Sequence, residues 1–155
     1  MPSYLVTGAN GQLGQCFRAV AQEFSNHDLI FANREEVDLT RPETLQKTYK
    51  KKPFEGIINC AAYTQVDQAE KEPEKALQIN AEGVQNLVAF AEEKGVSLVH
   101  FSTDYVFSGN ASVPIHEEDK CNPINAYGQS KYEGEKWIDK AMCPHTTFRI
   151  SWLFS

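Results

Sequence analysis

Short apolar runs alternate with segments of helical spacing along the whole chain. Residues 4–7 form the first apolar run and lead into a cluster of glycines. Leu13, Phe17, Val20, Ala21 and Phe24 then recur at close to helical spacing, which predicts a helix over 11–24. Residues 28–31 read as a second strand. Thr40 and Glu43 have the spacing of a capping box and Pro42 suits a first helical turn, so a helix is expected to about residue 51. Residues 56–60 read as a third strand. Pro73 opens the longest helical segment, which ends near Lys94 with Gly95 as its stop. A strand over 96–101, a helix over 125–141 and a strand over 146–150 follow, and 108–122 reads as a loop near the active face. This alternation predicts β-α-β units, hence an α/β fold with a doubly wound parallel sheet and helices on both faces. The run 148–154 reads as a buried strand with no closing element, so the sequence is expected to be a piece of a longer protein.

At 155 residues the chain fits one domain. A net charge of -6, with its 15 Lys and Arg scattered, argues against a nucleic-acid surface. Lys50, Lys51 and Lys52 read as a solvated helix end. No apolar stretch approaches the roughly 18–20 residues of a membrane span, and no signal peptide is visible. A cytoplasmic protein is expected. Cys16, Cys60, Cys121 and Cys143 form no C-x-x-C pair, so neither zinc nor a redox dithiol is suggested.

The glycines sit where the first strand turns into the first helix, as Gly8-Ala9-Asn10-Gly11-Gln12-Leu13-Gly14. Gly8 permits a tight turn, Gly11 lets the backbone approach a pyrophosphate, and Gly14 lets the helix pack on the sheet. The helix N-terminus offers N–H groups and a positive dipole end to the anion. In this context the loop predicts a Rossmann-like dinucleotide site. Its G-x-x-G-x-x-G spacing resembles that of extended short-chain dehydrogenase/reductases. After the second strand, where an acid would hold the ribose 2′-hydroxyl, stand Ala32, Asn33 and Arg34. Arg34 can reach a 2′-phosphate, which favours NADPH over NADH, with NADH left open.

Tyr127 and Lys131 are four residues apart and share a helical face, where a close ammonium lowers a phenol's pKa. Such a pair can hand a proton to a substrate oxygen. Tyr132 and Lys136 have the same spacing. A hydroxyl after the fourth strand can hydrogen-bond a carbonyl, and Ser102 and Thr103 both stand there.

The glycine loop, Asp38-Leu39, the run 59–67, the run 102–107, Tyr127-Gly-x-Ser-Lys131 and Arg149-x-Ser-Trp-Leu-Phe154 occur in this order. Together they resemble the dTDP-4-dehydrorhamnose reductase family, over the whole chain. The resemblance implies that Thr103, Tyr127 and Lys131 are the catalytic triad. It places Asp38 and Leu39 at the adenine, Ala61, Ala62 and Tyr63 along the cofactor, and Asp104 and Trp152 on the substrate side. The implied reaction is hydride transfer from NADPH to C4 of a 4-keto-6-deoxy sugar nucleotide, dTDP-4-dehydro-L-rhamnose. Tyr127 protonates the alkoxide, Lys131 holds the ribose and depresses the Tyr pKa, and Thr103 polarises the carbonyl. Family members are about twice this length, so much of the sugar-nucleotide-binding part is expected to lie outside this sequence. Magnesium is linked to the family, but no metal site is read here, and a homodimer is left open.

Two other readings share these motifs: a non-catalytic NADP-binding regulatory subunit resembling the methionine adenosyltransferase β subunit, and another sugar-nucleotide epimerase or dehydratase. The intact triad favours the reductase. His27, His100, His116 and His145 form no spacing cluster, Cys60 reads as a packed thiol, and Glu117, Glu118 and Asp119 read as a solvated loop. Asn80 and Gly83, both poor helix formers, stand inside the longest helix, where a close helix contact and a polar contact near the cofactor are open readings.

Overall fold

A computed structural model of the chain describes residues 1–154; the last residue of the expected domain, Ser155, lies outside the described residues. Five strands form one parallel sheet, β1 (Ser3–Thr7), β2 (Asp28–Ala32), β3 (Gly56–Asn59), β4 (Ser97–Thr103) and β5 (His145–Ile150), in the order β2-β1-β3-β4-β5. The chain steps one way from β1 to β2 and the other way thereafter. Right-handed crossovers therefore place α1 (Gln12–Val20) on one face. They place α2 (Pro42–Tyr49), α5 (Gly83–Lys94) and α6 (Ala126–Ile138) on the other. The order reverses between β1 and β3, where an open sheet of this kind leaves a crevice at its carboxyl edge.

The α2–α5–α6 face carries the main core, with Leu5, Leu45, Ile57, Leu87, Leu98 and Ile138 fully buried or nearly so. On the α1 face the packing is an aromatic row: Phe17 lies 6.1 Å from Phe101, which stacks 5.8 Å from Phe148. Phe148 is half-exposed and Trp152 and Phe154 more so. The terminal strand expected to be buried is therefore only partly covered: among the described residues it pairs with β4, which flanks it on one side.

Between β3 and α5 lie the short helices α3 (Val66–Ala69) and α4 (Pro73–Leu77). The longest helix predicted from sequence is real but interrupted: between α4 and α5, Gln78–Glu82 widens into a π turn. Gly95 closes it in the left-handed conformation. The first predicted helix is α-helical only through Val20 and ends in a 3₁₀ turn, Ala21–Phe24. The expected capping box at α2 does not form. Thr40 donates its hydroxyl to Asp38 instead, and Arg41 occupies the N-cap without a side-chain bond.

Candidate active site

Two adjoining clefts open at the carboxyl ends of the central strands. The smaller, about 180 Å³, is lined by Gly8, Gly11, Arg34, Asp38 and Leu39. The larger, about 490 Å³, is lined by Gln12, Leu13, Thr103, Tyr127, Lys131 and Trp152. Gly11, Cys60, Ala61 and Ala62 wall both.

The glycine loop builds the shared corner. Gly8 has a φ of +67°, and a Cβ on it would meet the Ala61 nitrogen at 2.5 Å. A Cβ on Gly14 would meet the Gly8 carbonyl at 2.5 Å, so that glycine serves the helix–loop contact. No side chain caps α1 at Gly11 and no acid stands in its first turn, so nothing negative competes with an anion there. These features fit a bound pyrophosphate. Asn10 lines neither cleft; its carbonyl accepts from Gln15 at 2.8 Å. Gln12 reaches across to the Leu153 carbonyl at 3.1 Å and ties the loop to the C-terminal run.

Arg34 rides on a turn in which the Asn33 side-chain oxygen accepts from the N–H groups of Glu35 and Glu36 at 2.8 and 3.1 Å. Partial burial pushes the Asp38 carboxyl up. Hydrogen bonds from Thr40 and the charges of Arg34 and Arg41 outweigh that and hold it below its ordinary value. Tyr63 lines neither cleft. Its backbone is clamped at N and O by Asn80, both at 2.9 Å, and its hydroxyl donates to Glu72 at 2.6 Å.

That π-turn asparagine also reaches α6. Asn80 Nδ2 donates to Ser130 Oγ at 2.9 Å, and Ser130 Oγ donates to the Tyr127 carbonyl at 2.7 Å. Asn80 therefore fastens the loop after β3 to the helix that carries Tyr127 and Lys131.

Asn125 caps α6 by accepting from the Gly128 N–H at 2.7 Å, and Tyr127, Lys131 and Glu135 follow on one buried face. Tyr127 packs edge-on against Tyr105 at 5.7 Å. Burial holds its phenol above the ordinary value; a hydrogen bond with Thr103 pulls down and the Asp104 charge pushes up. This reverses the expected depression. The Lys131 ammonium is turned to the Phe101 carbonyl at 2.6 Å, and burial brings its pKa down to about 8, with Glu135 opposing. Thr103, the partner of Tyr127, also accepts from the Tyr105 N–H at 3.2 Å and donates to Asp104 at 3.3 Å. Ser102 lines the same cleft without a hydrogen-bond partner among the described residues. Tyr132 and Lys136 stay outside: Lys136 sits 4.7 Å over the Tyr132 ring and bonds Glu133 at 2.7 Å.

Several residues were not singled out from sequence. Thr64, Val66, Tyr105 and Ile150 line the larger cleft; Tyr105 and Ile150 stand at or just beyond a strand's carboxyl end, the signal that would have found them, whereas Thr64 lies farther along the segment after β3 and Val66 opens α3. Glu135 is held by Arg149 through Nε at 3.0 Å and Nη2 at 2.7 Å; the same guanidinium donates to the Glu117 carbonyl at 2.9 Å. Cys60 is a packed thiol, its pKa pushed up to about 12 by burial. Among the described residues no three His, Cys, Asp or Glu gather to hold a metal ion, and no helix is long and apolar enough to cross a membrane.

Fold and cleft together define the class: a Rossmann-type α/β domain of the short-chain dehydrogenase/reductase kind. Residues 3–155 match the family model described as RmlD substrate binding domain, and the chain belongs to that family. It is 41% identical to a dTDP-4-dehydrorhamnose reductase of Sinorhizobium fredii over 97% of this chain and 50% of the relative. It is 38% identical to the Escherichia coli protein of the same name, over 97% of this chain and 51% of that one. It superposes with a TM-score of 0.92 on the dTDP-4-dehydrorhamnose reductase of Bacillus anthracis crystallised with NADP, at 38% identity over 99% of this chain and 55% of that one. The chain thus spans about half the length of the curated relatives it matches.

Proposed function

We propose that residues 1–155 form the NAD(P)-binding Rossmann domain of a cytoplasmic, NADPH-dependent reductase. Its substrate is dTDP-4-dehydro-L-rhamnose, whose C4 ketone becomes the alcohol of dTDP-L-rhamnose. The observation that carries this reading is convergence: Thr103, Tyr127 and Lys131 line a cleft whose wall of Gly11, Ala61 and Ala62 it shares with the Arg34 cleft. Relatives that bear the reductase name match nearly the whole chain, and the Bacillus anthracis structure holds NADP.

Gly8, Gly11 and the amino end of α1 would hold the pyrophosphate, Arg34 the 2′-phosphate, and Asp38 and Leu39 the adenine end. NADPH, when bound, supplies the hydride. The remaining work falls to the side chains. Reducing a ketone leaves an alkoxide that needs a proton. Tyr127, with its pKa raised, is protonated throughout the neutral range and serves as the acid. Thr103, which lines the same cleft as Tyr127, polarises the carbonyl. Lys131 spends one N–H on the Phe101 carbonyl and keeps two for the ribose hydroxyls. Trp152, which lines the larger cleft, would face the substrate; Asp104 lines neither cleft and would act through its hydrogen bond with Thr103.

The test is NADPH oxidation by the full-length protein with dTDP-4-dehydro-L-rhamnose. Turnover is expected. NADPH binding without oxidation would replace the reductase with a regulatory, cofactor-binding subunit.

A further inference from the structure

Three buried side-chain atoms have no hydrogen-bond partner among the described residues: Gln46 Oε1, His100 Nε2 and Ser102 Oγ. Of the three residues, only Ser102 lines a cleft. It is 3% exposed, so bulk water does not satisfy its hydroxyl. A buried hydroxyl without a partner is costly, and an alanine at the same place would avoid the cost. A ligand that completes the hydrogen bonding of the serine would remove it.

The neighbours of Ser102 on β4 say which part of a ligand arrives there. Phe101, one residue before, accepts from the Lys131 ammonium at 2.6 Å, and Thr103, one residue after, lines the larger cleft with Tyr127. Lys131 is itself 2% exposed. Other walls of the same cleft are open by comparison, Tyr105 being 40% and Trp152 79% exposed. The two clefts share the corner at Gly11 and Ala61, so a dinucleotide with its pyrophosphate there sends its nicotinamide half into the larger cleft. An ammonium only donates. A ribose hydroxyl that accepts from Lys131 therefore still carries a proton that needs an acceptor, and the Ser102 oxygen has lone pairs to offer. We infer that Ser102 is a cofactor-binding residue, its Oγ accepting from a hydroxyl of the nicotinamide ribose beside Lys131. The inference rests on the NADPH reading of the clefts.

The experiment is a calorimetric titration of the full-length protein and its Ser102→Ala and Ser102→Thr variants with two probes, NADPH and 2′,5′-ADP. The second probe carries the adenine end of the cofactor and no nicotinamide ribose. Ser102→Ala should raise the NADPH Kd about fivefold and leave that of 2′,5′-ADP within about twofold. Ser102→Thr keeps the oxygen and should recover most of the NADPH affinity; if its extra methyl prevents folding, Ser102→Ala carries the test. Without ligand, Ser102→Ala should melt no lower than wild type, because the hydroxyl it removes has no partner there. A purely structural serine would give the opposite pattern, a lower melting temperature and an unchanged Kd, and that result overturns the inference. So does an equal loss of affinity for both probes. A wild-type protein that does not bind NADPH overturns the cofactor reading itself, and the inference falls with it.

Discussion

The ammonium of Lys131 donates to the backbone carbonyl of Phe101 at 2.6 Å, on a side chain that is 2% exposed. The folded chain holds this proton only to about pH 8, against an ordinary value of 10.5 that applies once the chain unfolds. Between those values the unfolded state binds more protons, so stability rises with pH; below pH 8 the buried charge is a standing cost. Lys131→Met should therefore be about 2 kcal/mol more stable than wild type at pH 7. That advantage should shrink as pH rises through 8 towards 10.5. Urea melts of both proteins at several pH values check it, and the variant should be inactive in the full-length protein.

Tyr127→Phe removes the acid and leaves the ring packed on Tyr105. Reduction by the full-length protein should fall by about 10³-fold or more, with the NADPH Kd within about twofold. Turnover near the wild-type rate would remove Tyr127 from the chemistry.

Arg34 stands in the smaller cleft, beside the predicted 2′-phosphate position. Arg34→Ala should weaken NADPH about tenfold and leave NADH within about twofold. Paired titrations with the two nucleotides read the difference directly.

Gly134 on α6 lies so close to the Asn80 carbonyl that a Cβ would sit 2.1 Å from it. That oxygen is backbone, so the helix must move. Gly134→Ala should cost about 3 kcal/mol by denaturant unfolding.

Arg149→Ala leaves Glu135, 2% exposed, as an uncompensated carboxylate and should cost about 3 kcal/mol. Glu135→Gln should cost less, because the Arg149 side chain is 25% exposed and reaches water. Amide exchange near Glu117 should rise in the arginine variant, since that carbonyl loses its partner.

The strand and helix alternation was legible because each element carries its own period, and the glycine loop because its position after a strand is local. What escaped depends on neighbours far along the chain. Phe148 in β5 reads as buried from sequence yet is half-exposed, because burial is set by what flanks a strand, and among the described residues only β4 does. Thr40 has the spacing of a cap, but the helix begins at Pro42 with Arg41 at its N-cap, which leaves the Thr40 oxygen one residue too early to accept there. The Tyr127 and Lys131 spacing was readable; the direction of the tyrosine's shift was not, because burial and the Phe101 carbonyl decide it. Asn80 and Gly83 stood out as poor helix formers. The structure gives both a use: Asn80 clamps Tyr63, and a Cβ on Gly83 would meet Leu39 at 2.9 Å.

Across the sheet, Thr7 pairs with Asn59 and donates to its side chain at 2.7 Å, and Asn59 pairs with His100, 3.0 Å away, joining positions 52 and then 41 residues apart. Sheets that close only through such distant pairings fold slowly, because loop entropy is spent before any contact rewards it. The cleft floor is assembled from these same pairings, so no partly formed chain can own it. A cofactor that binds only the completed cleft will therefore draw the refolding equilibrium towards the native state.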